Sequence, residues 1–295
     1  EALNWHGLTS ERVLSTTLKH INDYEGFIKN TYGVAIPEIK TLHIFPITGK
    51  TAEYYQAHAN AFAFVRPGDP VIFLHIDAIV NEAKRLGIPM KENWREMTPQ
   101  ELGDNIERLL NEIHPHEYTH LIGDTAYWHL IGRNVAGEEE SIPFMPAKVG
   151  LEIISPRERR PTTLEPDKIE REMGRGIMEA VTVELTNQWA RQSNKRLDID
   201  AYPREREVLA ALINLIASEQ HNSREDAFKH FAKSYFDRKD YNTLVKMING
   251  REEVHGRTAY KRTRFTQFIY GLIEYDVEKA HEQGRPENYP LTLSV

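Results

Sequence analysis

Cysteine is absent from the sequence. Disulfide bonds, iron–sulfur clusters and thiolate zinc sites are therefore excluded, because each of them requires cysteine sulfur. Any zinc site in this protein must use histidine and carboxylate ligands. The absence assigns no cellular compartment, because cysteine-free proteins occur both inside and outside cells.

Long apolar runs are absent as well. The sequence has no stretch of about 18 apolar residues, and it therefore predicts no membrane span. The net charge is −7 over 295 residues. Acidic and basic residues are interspersed, which favours solubility and argues against nucleic acid as the main partner. A chain of this length predicts one large domain or two closely packed subdomains.

The first part of the chain alternates between helix and strand signals. Apolar residues at helical spacing predict a helix over 9–31, and β-prone runs follow at 41–48, 61–66 and 70–76. Pro-Gly-Asp joins the last two runs and predicts an antiparallel hairpin. Another helix is expected at 77–86.

A helix start is predicted at Thr98. Pro99 follows at the first helical position and Glu101 at the third, which is the pattern of a capping box. Apolar residues at helical spacing then continue into HPHEYTHLIGD, residues 114–124.

Residues 132–168 are rich in glycine, proline and charge, and predict an irregular segment with one strand at 149–154. Helical patterns return at 167–192, 203–220, 224–236, 239–248 and 259–284. The predicted fold class is α+β. A small mixed sheet with helices forms an N-terminal subdomain, 1–131, and a mainly helical C-terminal subdomain covers 132–295.

The stretch at 114–124 contains the HExxH motif of metallohydrolases. His116 and His120 are four positions apart, so a helix places them on one face, one turn from each other. Two imidazoles so placed can bind one Zn²⁺. Glu117 follows the first histidine and can take a proton from a water on the ion.

Pro115 removes a helix hydrogen bond immediately before His116. Either the helix kinks there or a new helix begins at Pro115, and both leave His116 and His120 on one side. His114 is then expected to support a ligand or to lie on the surface.

A catalytic zinc site needs a third protein ligand. HExxH followed by Gly123 resembles the start of the metzincin pattern, in which a third histidine comes three residues after the glycine. Ala126 occupies that position here and cannot bind a metal, while Asp124 and His129 are out of register.

The other source is a carboxylate on GRGIMEAVTVELTNQWA, residues 174–190. Glu179 lies between Met178 and Ala180 on an apolar helix face, and a buried glutamate without a partner is costly. A zinc ion would satisfy it. A solvent-facing Glu179 is the alternative, and Glu184 is a second candidate ligand.

HEYTH and MEAVTVELT together resemble the gluzincin branch of zinc metallopeptidases. The first glutamate of MEAVTVELT, Glu179, comes 59 residues after His120. In that family the second helix commonly reads like NEGLTEYLT, and its first glutamate is the third ligand. The resemblance covers residues 40–200 and implies a zincin-like fold, Zn²⁺ and a peptide or protein substrate. It implies His116, His120 and Glu179 as ligands and Glu117 as the activator of a zinc-bound water.

The sequence departs from the family in one respect. Family members often have an acidic residue four positions after the ligand glutamate, where it supports a zinc-bound histidine. Val183 occupies that position here, and Glu184 comes one residue later and points elsewhere, since a helix turns about 100° per residue. Either the histidine is supported in another way or Glu184 is the ligand.

Peptide hydrolysis also needs a donor to the developing oxyanion. Family members use a histidine or tyrosine beyond the glutamate helix, so Tyr202, His221 and His255 are candidates, with Tyr202 preferred. Two alternative functions remain. One is a non-catalytic zinc-binding protein, its site closed by His114 or Asp124, and the other is a metzincin-like protease.

Overall fold

A computed structural model of the chain describes residues 2–5, 11–49, 51, 61–65, 69–133, 139–156, 169–173, 175–199, 201–249, 251–254 and 257–260. Its first sheet has four strands: β1 (Ala2–Trp5), β2 (Thr41–Ile47), β3 (Ala63–Val65) and β4 (Val71–His75). The spatial order is β1-β2-β4-β3. The first three strands in this order are parallel, and β3 pairs antiparallel with β4 at the edge. The mixed sheet and the antiparallel hairpin are therefore confirmed.

The first part of the chain forms two packed layers, one of strands and one of helices. Every second residue of β2 and β4 is buried on one face of the sheet, namely Leu42, Ile44, Ile72 and Leu74. That face belongs to the same hydrophobic core as α1 (Glu11–Tyr32) and α3 (Pro99–Ile122). Between them, α2 (Ile76–Arg85) follows β4 directly.

The helix α3 begins as its sequence predicts. The Thr98 hydroxyl accepts a hydrogen bond from Glu101 N at 3.2 Å, and the Glu101 carboxylate accepts one from Thr98 N at 2.8 Å. These bonds satisfy two backbone donors that the first turn leaves free. The helix then runs unbroken through Pro115 to Ile122, so no new helix begins at Pro115.

An antiparallel sheet occupies much of the segment that was expected to be irregular. Its strands, in the order β5-β6-β7-β8, are β5 (Thr125–Arg133), β6 (Glu139–Val149), β7 (Glu152–Pro156) and β8 (Ile169–Met173). Within the described residues 132–133 and 139–156 the expectation was wrong, because Pro143 and Pro146 suggested a loop. Both prolines lie in β6 where the register with β5 shifts, and such irregularities tolerate proline within a sheet. The single strand predicted at 149–154 is instead the end of β6, a turn at 150–151 and the start of β7.

Four helices follow this sheet: α4 (Arg175–Gln192), α5 (Pro203–Gln220), α6 (Arg224–Phe236) and α7 (Arg238–Asn249). All four were predicted, but α4 begins later than expected because 169–173 forms β8. The predicted helix at 259–284 is wrong at its start, where β10 (Arg257–Tyr260) pairs with β9 (Arg251–Val254). Residues 261–284 lie outside the described part.

Helices from both parts of the chain share one hydrophobic core. The largest fully buried side chains include Tyr24 of α1, Tyr118 of α3, Trp189 of α4 and Tyr235 of α6. Helix predominates over strand, and the α+β class is confirmed. Within the described ranges no helix combines the length and apolar character that a membrane crossing requires.

Candidate metal centre

Three potential ligand atoms from two helices form a nearly equilateral triangle. His116 Nε2 lies 3.2 Å from Glu179 Oε2 and 3.3 Å from His120 Nε2. The third side, from His120 Nε2 to Glu179 Oε2, is 3.3 Å. In the part of the chain that the structure describes, this is the one group of at least three His, Cys, Asp or Glu side chains whose ligand atoms converge in this way.

The size of the triangle fits a tetrahedral metal site. With metal–ligand bonds of about 2.0–2.1 Å at the tetrahedral angle, neighbouring ligand atoms are about 3.3–3.4 Å apart. The three distances between the ligand atoms are 3.2–3.3 Å. Three acceptor atoms at this spacing need protons or a cation between them, and the triangle can therefore hold a metal ion.

The two helices contribute these atoms as the sequence predicts. His116 and His120 are one turn apart on α3, and Glu179 projects from the first half of α4. Glu179 is buried, with 8% of its surface exposed. Burial alone would raise its pKa, but the charges of His120 and His116 and their hydrogen bonds outweigh burial and hold that pKa well below its ordinary value. The carboxylate is therefore ionised and able to bind a cation.

Glu184, the alternative third ligand, faces another set of partners. Its carboxylate accepts hydrogen bonds from Gln188 at 3.1 Å and from Arg191 at 2.7 Å. It is not part of the convergent group, whereas Glu179 is. Val183, at the position where the family often has an acidic residue, is buried and apolar.

A tyrosine outside the sequence motifs, Tyr235, lies behind His120. Tyr235 of α6 is fully buried, and its Oη lies 2.8 Å from His120 Nδ1, the ring nitrogen that faces away from the triangle. Burial raises the Tyr235 pKa well above its ordinary value, so the phenol is neutral. Tyr235 is 115 residues from His120 in the chain, and no local motif marks it.

Glu117 is the acidic residue of HExxH, and it interacts electrostatically with His116 and Glu179. It follows His116 on α3 and only 8% of its surface is exposed. Burial raises the Glu117 pKa to about 7, with the nearby His116 charge opposing the shift and the Glu179 charge adding to it. A buried carboxyl group with a pKa near neutrality can both accept and donate a proton.

Tyr202 precedes α5 and lies near His116. Its ring is nearly parallel to that of His116, with ring centroids 6.2 Å apart, and 39% of its surface is exposed. The Glu179 charge, burial and the Glu117 charge raise its pKa, so its hydroxyl remains a donor. Its φ of 54° is left-handed, which is uncommon for a residue other than glycine and is enriched at functional sites.

His221, another oxyanion candidate, is not at this position. Tyr202 precedes the first residue of α5, and His221 follows the last. The 18 residues of this helix separate the backbones of Tyr202 and His221 by about 27 Å. His255 lies outside the described residues.

The remaining polar residues of the motif have other surroundings. His114 is fully buried, which corrects the surface alternative, and burial lowers its pKa to about 3. Asp124 accepts a hydrogen bond from Lys148 at 3.0 Å. Neither belongs to the convergent group. Ala126 and His129 lie in β5, and their side chains are outside the described part.

Comparison with known proteins assigns the chain to no family. No protein-family model matches the sequence, no curated protein is significantly similar to it, and no solved structure matches its fold.

Proposed function

We propose that the protein is a zinc-dependent metalloendopeptidase. The observation that carries this proposal is the triangle of His116 Nε2, His120 Nε2 and Glu179 Oε2. Glu117, next to His116 on the HExxH helix, is buried and interacts electrostatically with His116 and Glu179. Two histidines and one glutamate are a ligand set used by zinc peptidases, and they leave one coordination position open.

The donor set supports zinc among the available metals. Two neutral imidazoles and one carboxylate suit Zn²⁺, whereas Mg²⁺ and Ca²⁺ prefer oxygen ligands alone. When bound, the ion would act as a Lewis acid that polarises a carbonyl and makes water a nucleophile at neutral pH.

Two residues near the proposed metal site would supply the proton transfer and the hydrogen-bond donor that the reaction needs. Glu117 accepts the proton of the attacking water and passes it to the leaving amine, which is the ordinary role of a carboxylate base. The hydroxyl group of Tyr202 donates a hydrogen bond to the substrate oxygen, on which negative charge develops. The 39% exposure of Tyr202 supports this role, because a bound peptide requires an accessible donor.

A zincin-like fold is part of the proposal. The supporting features are the mixed sheet ending in the antiparallel strand β3, the HExxH helix α3 and the glutamate helix α4, in that chain order. The expected substrate is a peptide or protein, since β3 is a sheet edge beside which an extended chain can pair.

Glu117→Gln tests the reaction separately from the metal site. Glutamine keeps the size of the side chain but cannot act as a base, so we expect unchanged zinc content and a fall in peptide hydrolysis of about 10²–10⁴-fold. Zinc is measured by elemental analysis, and hydrolysis with a random peptide library analysed by mass spectrometry.

Glu184→Gln is the matched control, because Glu184 lies on the glutamate helix but outside the triangle. It should retain both zinc and activity. Full activity in Glu117→Gln would refute the mechanism. A wild type that binds zinc and cleaves nothing would show a non-catalytic zinc protein instead.

A further inference from the structure

A chain of three polar contacts runs from the back of His120 to the glutamate helix. Tyr235 Oη lies 2.8 Å from His120 Nδ1, and Thr182 Oγ1 lies 3.1 Å from Tyr235 Oη. Thr182 Oγ1 is also 2.9 Å from the carbonyl oxygen of Met178, one turn earlier on α4. All three side chains are buried.

The hydroxyl of Thr182 gives this chain a direction. Thr182 Oγ1 donates to Tyr235 Oη at 3.1 Å and also lies within hydrogen-bonding distance of the Met178 carbonyl. Tyr235 Oη is an acceptor in this contact, and the same oxygen can accept a second hydrogen bond, at 2.8 Å, from a hydrogen on Nδ1 of His120.

An acceptor beside Nδ1 favours one tautomer of His120. A neutral imidazole carries one hydrogen, and with that hydrogen on Nδ1 the lone pair is on Nε2. Nε2 is the atom that faces His116 and Glu179. The opposite tautomer would place a hydrogen on Nε2, inside the triangle, where it would block a metal bond.

The ring of Tyr235 packs in a slot that is lined by two neighbouring glycines. A Cβ atom added at Gly123 would lie 2.7 Å from Cε1 of the ring, and one at Gly150 would lie 2.8 Å from Cζ. The backbone of Tyr235 is also held, since its carbonyl accepts a hydrogen bond from Asp124 N at 2.9 Å. The ring therefore has little freedom to leave His120.

We propose that Tyr235 is the positioning residue of the metal centre, holding His120 in the tautomer and orientation that expose Nε2 to the ion. The inference rests on the metal site of the proposed function but not on peptide hydrolysis. It also assigns the support of His120 to a tyrosine on α6, in place of the acidic residue that the glutamate helix lacks at Val183.

Tyr235→Phe removes the hydroxyl and keeps the ring in its slot. We expect Zn²⁺ affinity to fall about 10–100-fold, the usual effect of losing such a partner. Affinity is measured by competition with a chromophoric chelator. The visible spectrum of the Co²⁺-loaded protein provides a second readout, which should change in this variant because the orientation of a ligand changes.

Tyr24→Phe is the matched control. Tyr24 is also fully buried, and its hydroxyl lies 2.6 Å from Thr119 Oγ1 on the HExxH helix, but it contacts no ligand atom. This variant should keep the wild-type Zn²⁺ affinity and Co²⁺ spectrum. If it loses as much affinity as Tyr235→Phe, the effect is one of packing and the inference fails.

Thr182→Val gives an independent test that does not alter the tyrosine. Without Thr182 Oγ1, Tyr235 Oη loses the hydrogen bond that Thr182 donates to it. The tyrosine can then donate its own hydrogen to His120 Nδ1, which favours the blocking tautomer, so Zn²⁺ affinity should fall here too. If the wild type binds Zn²⁺, unchanged Zn²⁺ affinity in Tyr235→Phe or in Thr182→Val overturns the inference. A wild type that binds Zn²⁺ without cleaving peptides refutes only the peptidase.

Discussion

Gly123→Ala tests the slot around Tyr235 with a single methyl group. The added Cβ would lie 2.7 Å from Cε1 and 3.3 Å from Cδ1 of the ring. Carbon atoms in favourable contact are about 3.5–4.0 Å apart, so one of the two groups must move. The φ of Gly123 is −62°, which alanine adopts without strain, and the cost therefore comes from the clash alone.

Relief of this clash is restricted by Gly150, which lies beside Gly123 and also packs against the ring. Its own Cβ would lie 2.8 Å from Cζ of Tyr235, and its Cα is 3.4 Å from the Cβ added at Gly123. Overpacking of this kind costs about 1–3 kcal/mol. A displaced ring also lengthens its hydrogen bond to His120, so Gly123→Ala should lower Zn²⁺ affinity as well as stability.

Gly26→Ala is a control with the opposite expected sign. Gly26 lies inside α1, and a Cβ there meets nothing within 4 Å. Alanine favours helix over glycine by about 1 kcal/mol, so this variant should be more stable than the wild type. Urea unfolding followed by circular dichroism gives both free energies. A Gly123→Ala protein as stable as the wild type would refute the slot.

Three further perturbations separate the parts of the site. Tyr202→Phe should lower kcat about 10²–10³-fold with zinc content unchanged, as for loss of one oxyanion donor; loss of zinc instead would place the hydroxyl among the ligands. Glu179→Ala should abolish stoichiometric zinc in elemental analysis, whereas Glu184→Ala should not, and the reverse result would move the ligand to Glu184. Removing zinc with a chelator should lower the melting temperature, since an ion present at 1,000 times its Kd stabilises the fold by about 4 kcal/mol; an unchanged melting temperature would argue against a bound ion.

Local signals explain why most helices and the convergent triad could be predicted. The capping box at Thr98 and the apolar spacing that follows it depend on neighbouring residues, and the structure confirms both. HExxH is also local, because a helix brings its histidines together without help from the rest of the chain. Glu179 required one further step, which was the cost of burying an unpaired carboxylate on an apolar face.

The sheet at β5–β8 could not be predicted in the same way. Prolines and charges obscure the alternation of β6, and its pairing with β5 depends on register shifts that only the partner strand reveals. Tyr235 was missed for a related reason. Its surroundings in AFKHFAKSYF indicate a buried apolar face, which is correct, but the position of its hydroxyl is set by residues far away in the chain.

The slot links sequence positions that would otherwise vary independently. Gly150 has a φ of +54° and needs glycine for its backbone as well as for the ring, whereas Gly123 needs it for the ring alone. A homologue with a larger residue at Gly123 therefore has no room for tyrosine at the position of Tyr235, and must orient its histidine by other means. Covariation of this glycine and this tyrosine, rather than HExxH, would identify the proteins that share the same centre.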